Sequence, residues 1–330
     1  MKTLILSIGI LISGAGIAQI SDSVALGAGY ANESYYSLEN GETANVDNNN
    51  WDIAFDLSSF GATIKLNRRI SIMYVYPGSN ADWSTLDTAG IATWGTYTDT
   101  YSYWNEGAFN NCADFSDPVD LGWGLYNSTT HFIEGEHLFV VELSTGDYKK
   151  IYFEQLAGGV YTFKYADLDN TNEVNETVTK SDYSGKNFIH YSIENETVVD
   201  REPASTDWDI VFSNVVLELA PGYFGGVTYA FHNYDVTVSE ISGVPSSVAT
   251  YGTFEDSINT IGYDWKTFNM GTFQYDIEDS LTYFVQTAVG DVWKLVFTGF
   301  NGGSDGKIYF TKEKVEASGL SEDYLTEVKL

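Results

Sequence analysis

The feature that most constrains this chain is that it repeats itself. Tyr35-Tyr36-Ser37-Leu38-Glu39-Asn40-Gly41-Glu42 returns as His190-Tyr191-Ser192-Ile193-Glu194-Asn195-Glu196. Trp51-Asp52-Ile53-Ala54-Phe55 returns as Trp208-Asp209-Ile210-Val211-Phe212, an offset of 157 residues. Gly122-Trp123-Gly124-Leu125-Tyr126-Asn127 then matches Asp264-Trp265-Lys266-Thr267-Phe268-Asn269 at an offset of 142. Leu138 to Phe153 matches Thr282 to Phe297 at 144, through Gly146-Asp147 and Gly290-Asp291. The order is kept and the offset falls once, so the first copy carries about 15 extra residues between Pro77 and Asp120. Ordered self-similarity of this kind marks a duplication. We place the copies at 22–180 and 181–317, with a tail at 318–330.

Each copy reads as strands and turns. Trp51-x-Ile53-x-Phe55 and Trp208-x-Ile210-x-Phe212 alternate apolar with other residues, the pattern of a half-buried strand. Leu138–Leu143 and Tyr148–Phe153 flank Ser-Thr-Gly-Asp and read as a hairpin, with Gly146 supplying the positive φ of the turn. Tyr283–Thr287 and Val292–Phe297 are its twin around Gly290. Helical stretches are scarce, and aromatics, which favour strands, make up 15% of the chain. The expected fold is all-β, two tandem sandwich or open-barrel units with few helices.

The chain has 46 acidic against 16 basic residues, a net charge of -30. That balance excludes phosphate-backbone binding and docking on anionic lipid, both of which need Lys/Arg clusters. Lys2 followed by the charge-free run Leu4–Ala18, with Gly16-Ile17-Ala18 before Gln19, reads as a secretory signal peptide over 1–18. The mature chain is expected in the periplasm, at the cell surface or outside the cell. No cysteine lies near the cleavage site to carry a lipid, and no second apolar run reaches spanning length. Cys112 is the sole cysteine, so no intramolecular disulfide forms.

With these motifs in order, the chain resembles the HmuY-type haem-binding proteins of Bacteroidota, present as two tandem copies. The shared residues are Tyr-x-Ser-(Leu/Ile), then Trp-Asp-Ile-x-Phe, the Trp-x-x-aromatic strand, the Gly-Asp hairpin, and the closing strand Gly306-Lys307-Ile308-Tyr309-Phe310. The resemblance covers most of the mature chain. It implies a secreted, non-catalytic protein for haem or iron acquisition. Its ligand would be haem or a related tetrapyrrole, and its partner an outer-membrane haem receptor. One family axial ligand follows the Trp-x-x-aromatic strand, which places Met270 there, after Trp265 and Phe268. Met is a competent ligand to haem iron. The first copy has Ser128 at that position. His232, beside Phe231 and Tyr234, is the candidate second ligand, and Lys266 is a local cation for the propionates.

Other chemistry is thin. His131 and His137 flank Glu134 and Glu136, a spacing better read as a polar turn than as a metal site. Asp167, Asp169, Thr171 and Glu173 alternate like a calcium loop but lack its distal Glu. Asp52 and Asp209 recur beside Trp in a strand motif, which favours a structural hydrogen-bond role over acid/base work. No nucleophile elbow, phosphate loop or triad order is present, so no enzyme is expected. The alternative to haem binding is a secreted structural or carbohydrate-binding β protein on the same fold.

Overall fold

The computed structural model describes residues 19–315, and within them the chain is nearly all β. The expected signal peptide and the tail at 318–330 lie outside the described residues. Two cores form. The first packs Ile53, Phe55, Trp123, Phe139, Phe153, Phe163 and Tyr191 together. It lies between a four-stranded antiparallel sheet (197–199, 188–192, 53–56, 64–66 in spatial order) and a seven-stranded one that includes Tyr148–Ala157 and Val160–Asp167. The second core packs Val24, Tyr36, Ile210, Phe212, Trp265, Tyr283, Phe297 and Phe310. It lies between a four-stranded sheet (223–232, 210–220, 32–37, 41–47) and a five-stranded one that runs from Ile20–Ala25 to Thr237–Ile241.

The hairpins fold as their sequences require. Leu143 and Thr287 each donate across their turn, to Asp147 and Asp291 carbonyls at 2.9 Å, and Gly146 and Gly290 take φ 84° and 92°. A side chain is strained at such φ, while glycine is not.

The copies are joined in a way the repeat alone does not show. Asn32–Ser37, from the first copy, pairs with Ile210–Ala220 of the second, with Tyr36 opposite Ile210. Phe188–Ser192, from the second copy, pairs with Ile53–Asp56 of the first, with Tyr191 opposite Ile53. The two copies exchange their Tyr-Ser strands. The expected boundary at 180/181 is therefore not a boundary between packed units. The first core is one continuous stretch that reaches Ile193, and the second is built from residues on both sides of it. Position 180 falls in a short 3-10 turn, Lys180–Tyr183, that leads straight into the exchanged strand.

The exchange is held by the recurring aspartates. Asp52 accepts the amides of Ile193 and Glu194 at 2.7 and 3.3 Å and the hydroxyl of Ser71 at 2.7 Å. Asp209 accepts the amide of Leu38 at 2.8 Å. Their own amides donate to Tyr191 and Tyr36 carbonyls at 2.9 and 2.8 Å. Burial pushes both carboxyls above the usual range, against these hydrogen bonds.

The Trp-Asp strands are not half-buried as their alternation suggests. Ile53–Asp56 is buried on every residue, as are the first residues of Ile210–Ala220. Ile53 and Phe55 face the first core, while Ala54 joins Trp51 and Phe188 on the other face. Ile210 and Phe212 face the second core, while Val211 joins Tyr35, Trp208 and Phe231. The second faces of the two four-stranded sheets are thus covered as well. Trp104 packs against both of these outer clusters.

Ile210→Ala should lower stability by about 2–5 kcal/mol, by lost transfer energy plus a cavity. Met270→Ala, at a position 73% exposed, should stay within about 0.5 kcal/mol of the parent. Urea midpoints at constant slope measure both.

Candidate functional site

Where the two outer sheet faces approach, they enclose a cavity of about 90 Å³. The first copy contributes Trp51, Lys65 and Tyr35, and the second contributes His190, Trp208, Val211 and Phe231. The segment that carries the extra residues of the first copy supplies a third wall, Asp99, Tyr101 and Trp104. That segment is clamped to the second copy. Tyr101 stacks on Phe231 with ring centroids 5.2 Å apart. Trp104 Nε1 donates to the His232 carbonyl at 3.0 Å, and Ile258 donates its amide to the Ser102 carbonyl at 2.9 Å.

The cavity is aromatic in outline and charged in lining. Arg68, Arg69 and Arg201 are the only arginines of the chain. Arg68 and Arg69 line the cavity, and Arg201 pairs with Glu33, which lines it. Glu33 also accepts the Tyr35 and Ser213 hydroxyls at 2.8 and 3.1 Å. Arg69 donates to Asn214. The Nε atoms of all three arginines are buried without a partner.

Lys65 is 7% exposed, with its Nζ 5.5 and 5.3 Å from the ring centroids of Trp104 and Phe188. No hydrogen bond or ion pair holds that Nζ among the described residues. Burial lowers its pKa, while Asp99, Asp56 and Glu106 push the other way. Trp208 Nε1, His190 Nδ1 and Arg68 Nε are buried without a hydrogen-bond partner. The Arg68 guanidinium lies 4.9 Å from the Phe224 ring centroid. His190 sits edge-on to Trp51 at 4.6 Å, and burial, then Arg201, holds its pKa well below the usual histidine value. Glu202 accepts the amides of Asn187 and Phe188 at 3.0 Å, yet burial pushes its carboxyl up to about 8. Buried polar groups in native proteins almost always find partners, and Arg68 Nε, Arg69 Nε, His190 Nδ1 and Trp208 Nε1 lie together on this one cavity.

The residues expected to hold haem are placed differently. Met270 stands exposed in the turn between Lys266–Asn269 and Gln274–Ile277. His232 is 1% exposed, with Nδ1 3.1 Å from the Asn233 carbonyl and Nε2 2.8 Å from the Ser257 carbonyl, and a neutral ring donates to one of the two. Backbone oxygens this close to both nitrogens leave no room for iron on either. Trp265 is buried in the second core, stacked on Phe297 at 4.1 Å, so its face is not open to a porphyrin. Phe268 is half-exposed and edge-on to Tyr275 at 5.1 Å. Lys266 is spent on the Thr228 and Tyr263 carbonyls at 2.7 and 3.2 Å, and burial pushes its pKa down to about 7. The Met270–His232 pair is not assembled, and these residues do not fit haem.

The remaining candidates have structural roles. His131 bonds the Tyr126 hydroxyl at 2.7 Å in a turn at φ 60°, and His137 faces the Phe139 ring. No group of three or more His, Cys, Asp or Glu able to hold a metal occurs among the described residues. Asp167 pairs with Lys149 and accepts from Asn172 and Thr171. Cys112 donates to the Phe109 carbonyl at 3.4 Å, and burial pushes its thiol up to about 12. No helix among the described residues is long and apolar enough to cross a membrane.

Sequence reasoning missed Lys65, Arg68, Asp99, Tyr101 and Trp104. Two signals pointed there: the segment with extra residues in the first copy, and the adjacent Arg68-Arg69 in a chain this acidic.

No family model and no curated protein matches the chain. Among solved structures it is similar to apo PinO, whose source is given as Porphyromonas gingivitis, at 13% identity and TM-score 0.24. The alignment covers 53% of this chain and 88% of PinO. A likeness at that score assigns neither family nor function.

Glu202 carries a pH prediction. Its folded pKa of about 8 lies above the ordinary 4.5. Between these values the native state holds a proton that the unfolded chain has released. Stability should therefore fall as pH rises through that window, by at most ~1.4 kcal/mol per pH unit. Urea midpoints across that range should fall less steeply in Glu202→Gln than in the parent.

Proposed function

We propose that this protein is an exported, non-catalytic binding protein that holds a small molecule in the cavity between its two cores. The observation that supports this reading most is the set of unpartnered buried atoms, Arg68 Nε, Arg69 Nε, Trp208 Nε1 and His190 Nδ1, gathered on one cavity. Leaving a buried polar group unmade costs about 1–3 kcal/mol each. A fold that leaves several around one space is built for something that completes them. Export is supported by the charge-free N-terminal run and by the acidic composition.

The test is native mass spectrometry of the mature protein purified from cells that export it, beside Val215→Trp, which places a ring in the cavity from a partly exposed lining position. The parent should carry a small-molecule adduct, and the variant, with a parental thermal melt, should not. An adduct kept by the folded variant would refute the site. Haemin titration is the second arm. Any Soret response should be the same in the parent and in Met270→Ala. A ligated spectrum that Met270→Ala abolishes would restore the haem pair.

A carbohydrate-binding reading has its own support in a shallow surface hollow of about 540 Å³ lined by Tyr30, Phe268, Phe273, Tyr275 and Phe300 with Gln274 and Asn301. Aromatic faces beside amide groups suit sugar stacking. Phe273→Ala, 75% exposed in the parent, should abolish retention on an insoluble polysaccharide if that reading holds, with no change in the melt.

A further inference from the structure

We propose that the ligand of the inter-repeat cavity is a small carboxylate anion, with its charged end on Lys65 and Arg68 and its apolar body against Trp104 and Phe188. This rests on the reading that the cavity is the binding site, and it names the chemical class the cavity takes.

The argument begins with a count of donors and acceptors. Trp208 Nε1, Arg68 Nε and Arg69 Nε on this cavity are buried without partners and can only donate. Asp99 accepts the amides of Leu66 and Ala108 on one oxygen, at 3.1 and 2.7 Å. Glu33 is met by Arg201, and Glu202 by two backbone amides. Donors outnumber acceptors among the unpartnered atoms, with His190 Nδ1 beside them. What completes such a lining is a group rich in acceptors with no proton to give, which is the definition of a carboxylate.

Charge points the same way. Arg201 cancels Glu33, and Glu202 is held largely neutral near pH 7. Lys65, Arg68 and Arg69 face Asp99 on the cavity wall, while Asp56 and Glu106, outside the lining, also act on Lys65. In a chain of net charge -30, three cations on one cavity are a local concentration of positive charge. Hydrogen bonds to charged groups are about twice as strong as neutral ones, and Trp104, Phe188 and Phe231 line the cavity with apolar surface.

Size limits the rest. About 90 Å³ lies below the roughly 150 Å³ of a cavity that takes benzene. That favours a short carboxylate such as acetate or butyrate over benzoate.

The experiment uses the mature full chain and follows the fluorescence of Trp51, Trp104 and Trp208, which line the cavity. The probes are acetate, butyrate and benzoate, their neutral counterparts butanol and benzyl alcohol, and inorganic phosphate. At least one carboxylate should saturate and bind about 10–100-fold more tightly than its neutral counterpart, the range of a hydrogen bond to a charged group. Lys65→Met should lose a similar factor while keeping the parental melt. If neutral probes bind as well as the carboxylates, or folded Lys65→Met binds the tightest carboxylate like the parent, the anion assignment is overturned while the cavity reading stands. If phosphate alone binds, the carboxylate assignment is overturned in favour of a compact oxyanion. If no probe binds and the exported protein carries no adduct, both readings fall.

Discussion

Two carboxylates, Asp52 buried and Asp209 half-buried, hold this molecule together across its duplication. Asp52 receives the turn after the second copy's Tyr-Ser strand, and Asp209 receives the turn after the first copy's. Each ties backbone amides of one repeat to a strand of the other. A buried carboxylate without such donors would be strongly destabilising, so the two exchanged strands cannot leave without exposing the aspartates' desolvation cost. The exchange makes the two cores one covalent and hydrogen-bonded whole, with the second core drawn from residues on both sides of the first.

The exchange also creates the cavity. A four-stranded sheet in each unit has one face on its own core. Because each sheet contains a strand from the other copy, the two opposite faces are brought together rather than turned to solvent. Trp51 and Trp208 sit on those faces at equivalent points of the repeat, and the extra segment of the first copy closes the space with Tyr101 and Trp104. Symmetry stops there. The first copy places Lys65 beside the cavity where the second places Phe231, since Asn67 and Asn233 anchor equivalent loops, to Trp51 and Trp208 carbonyls at 3.0 and 2.8 Å. A cation on one side and a ring on the other is the polarity a ligand with one charged end needs.

The haem pair inferred by resemblance fails for reasons that the sequence could not display. Met270 follows the Trp-x-x-aromatic strand as expected, but the strand ends at Asn269 and the turn carries Met270 outward. His232 aligns with Leu66 through the same Asn67–Asn233 equivalence, so it occupies a core-side position with a backbone carbonyl close to each ring nitrogen. A histidine among aromatics reads alike as a ligand or as a satisfied buried group until its hydrogen-bond partners are seen.

The duplication, the strand identities and both Gly-Asp hairpins were determined by the sequence itself, because they depend on local patterns: period-two alternation, turn chemistry and repetition in order. So was the structural role of Asp52 and Asp209, which recur inside a strand motif. Which strand pairs with which was decided only by the tertiary structure. The Tyr-Ser motif is nearly the same in both copies, so either Trp-Asp strand offers it a matching partner, and nothing local distinguishes them. Chain connectivity and the packing of two cores at once break that tie. The cavity, and the gathering of Lys65, Arg68 and Trp104 around it, follow from that non-local choice.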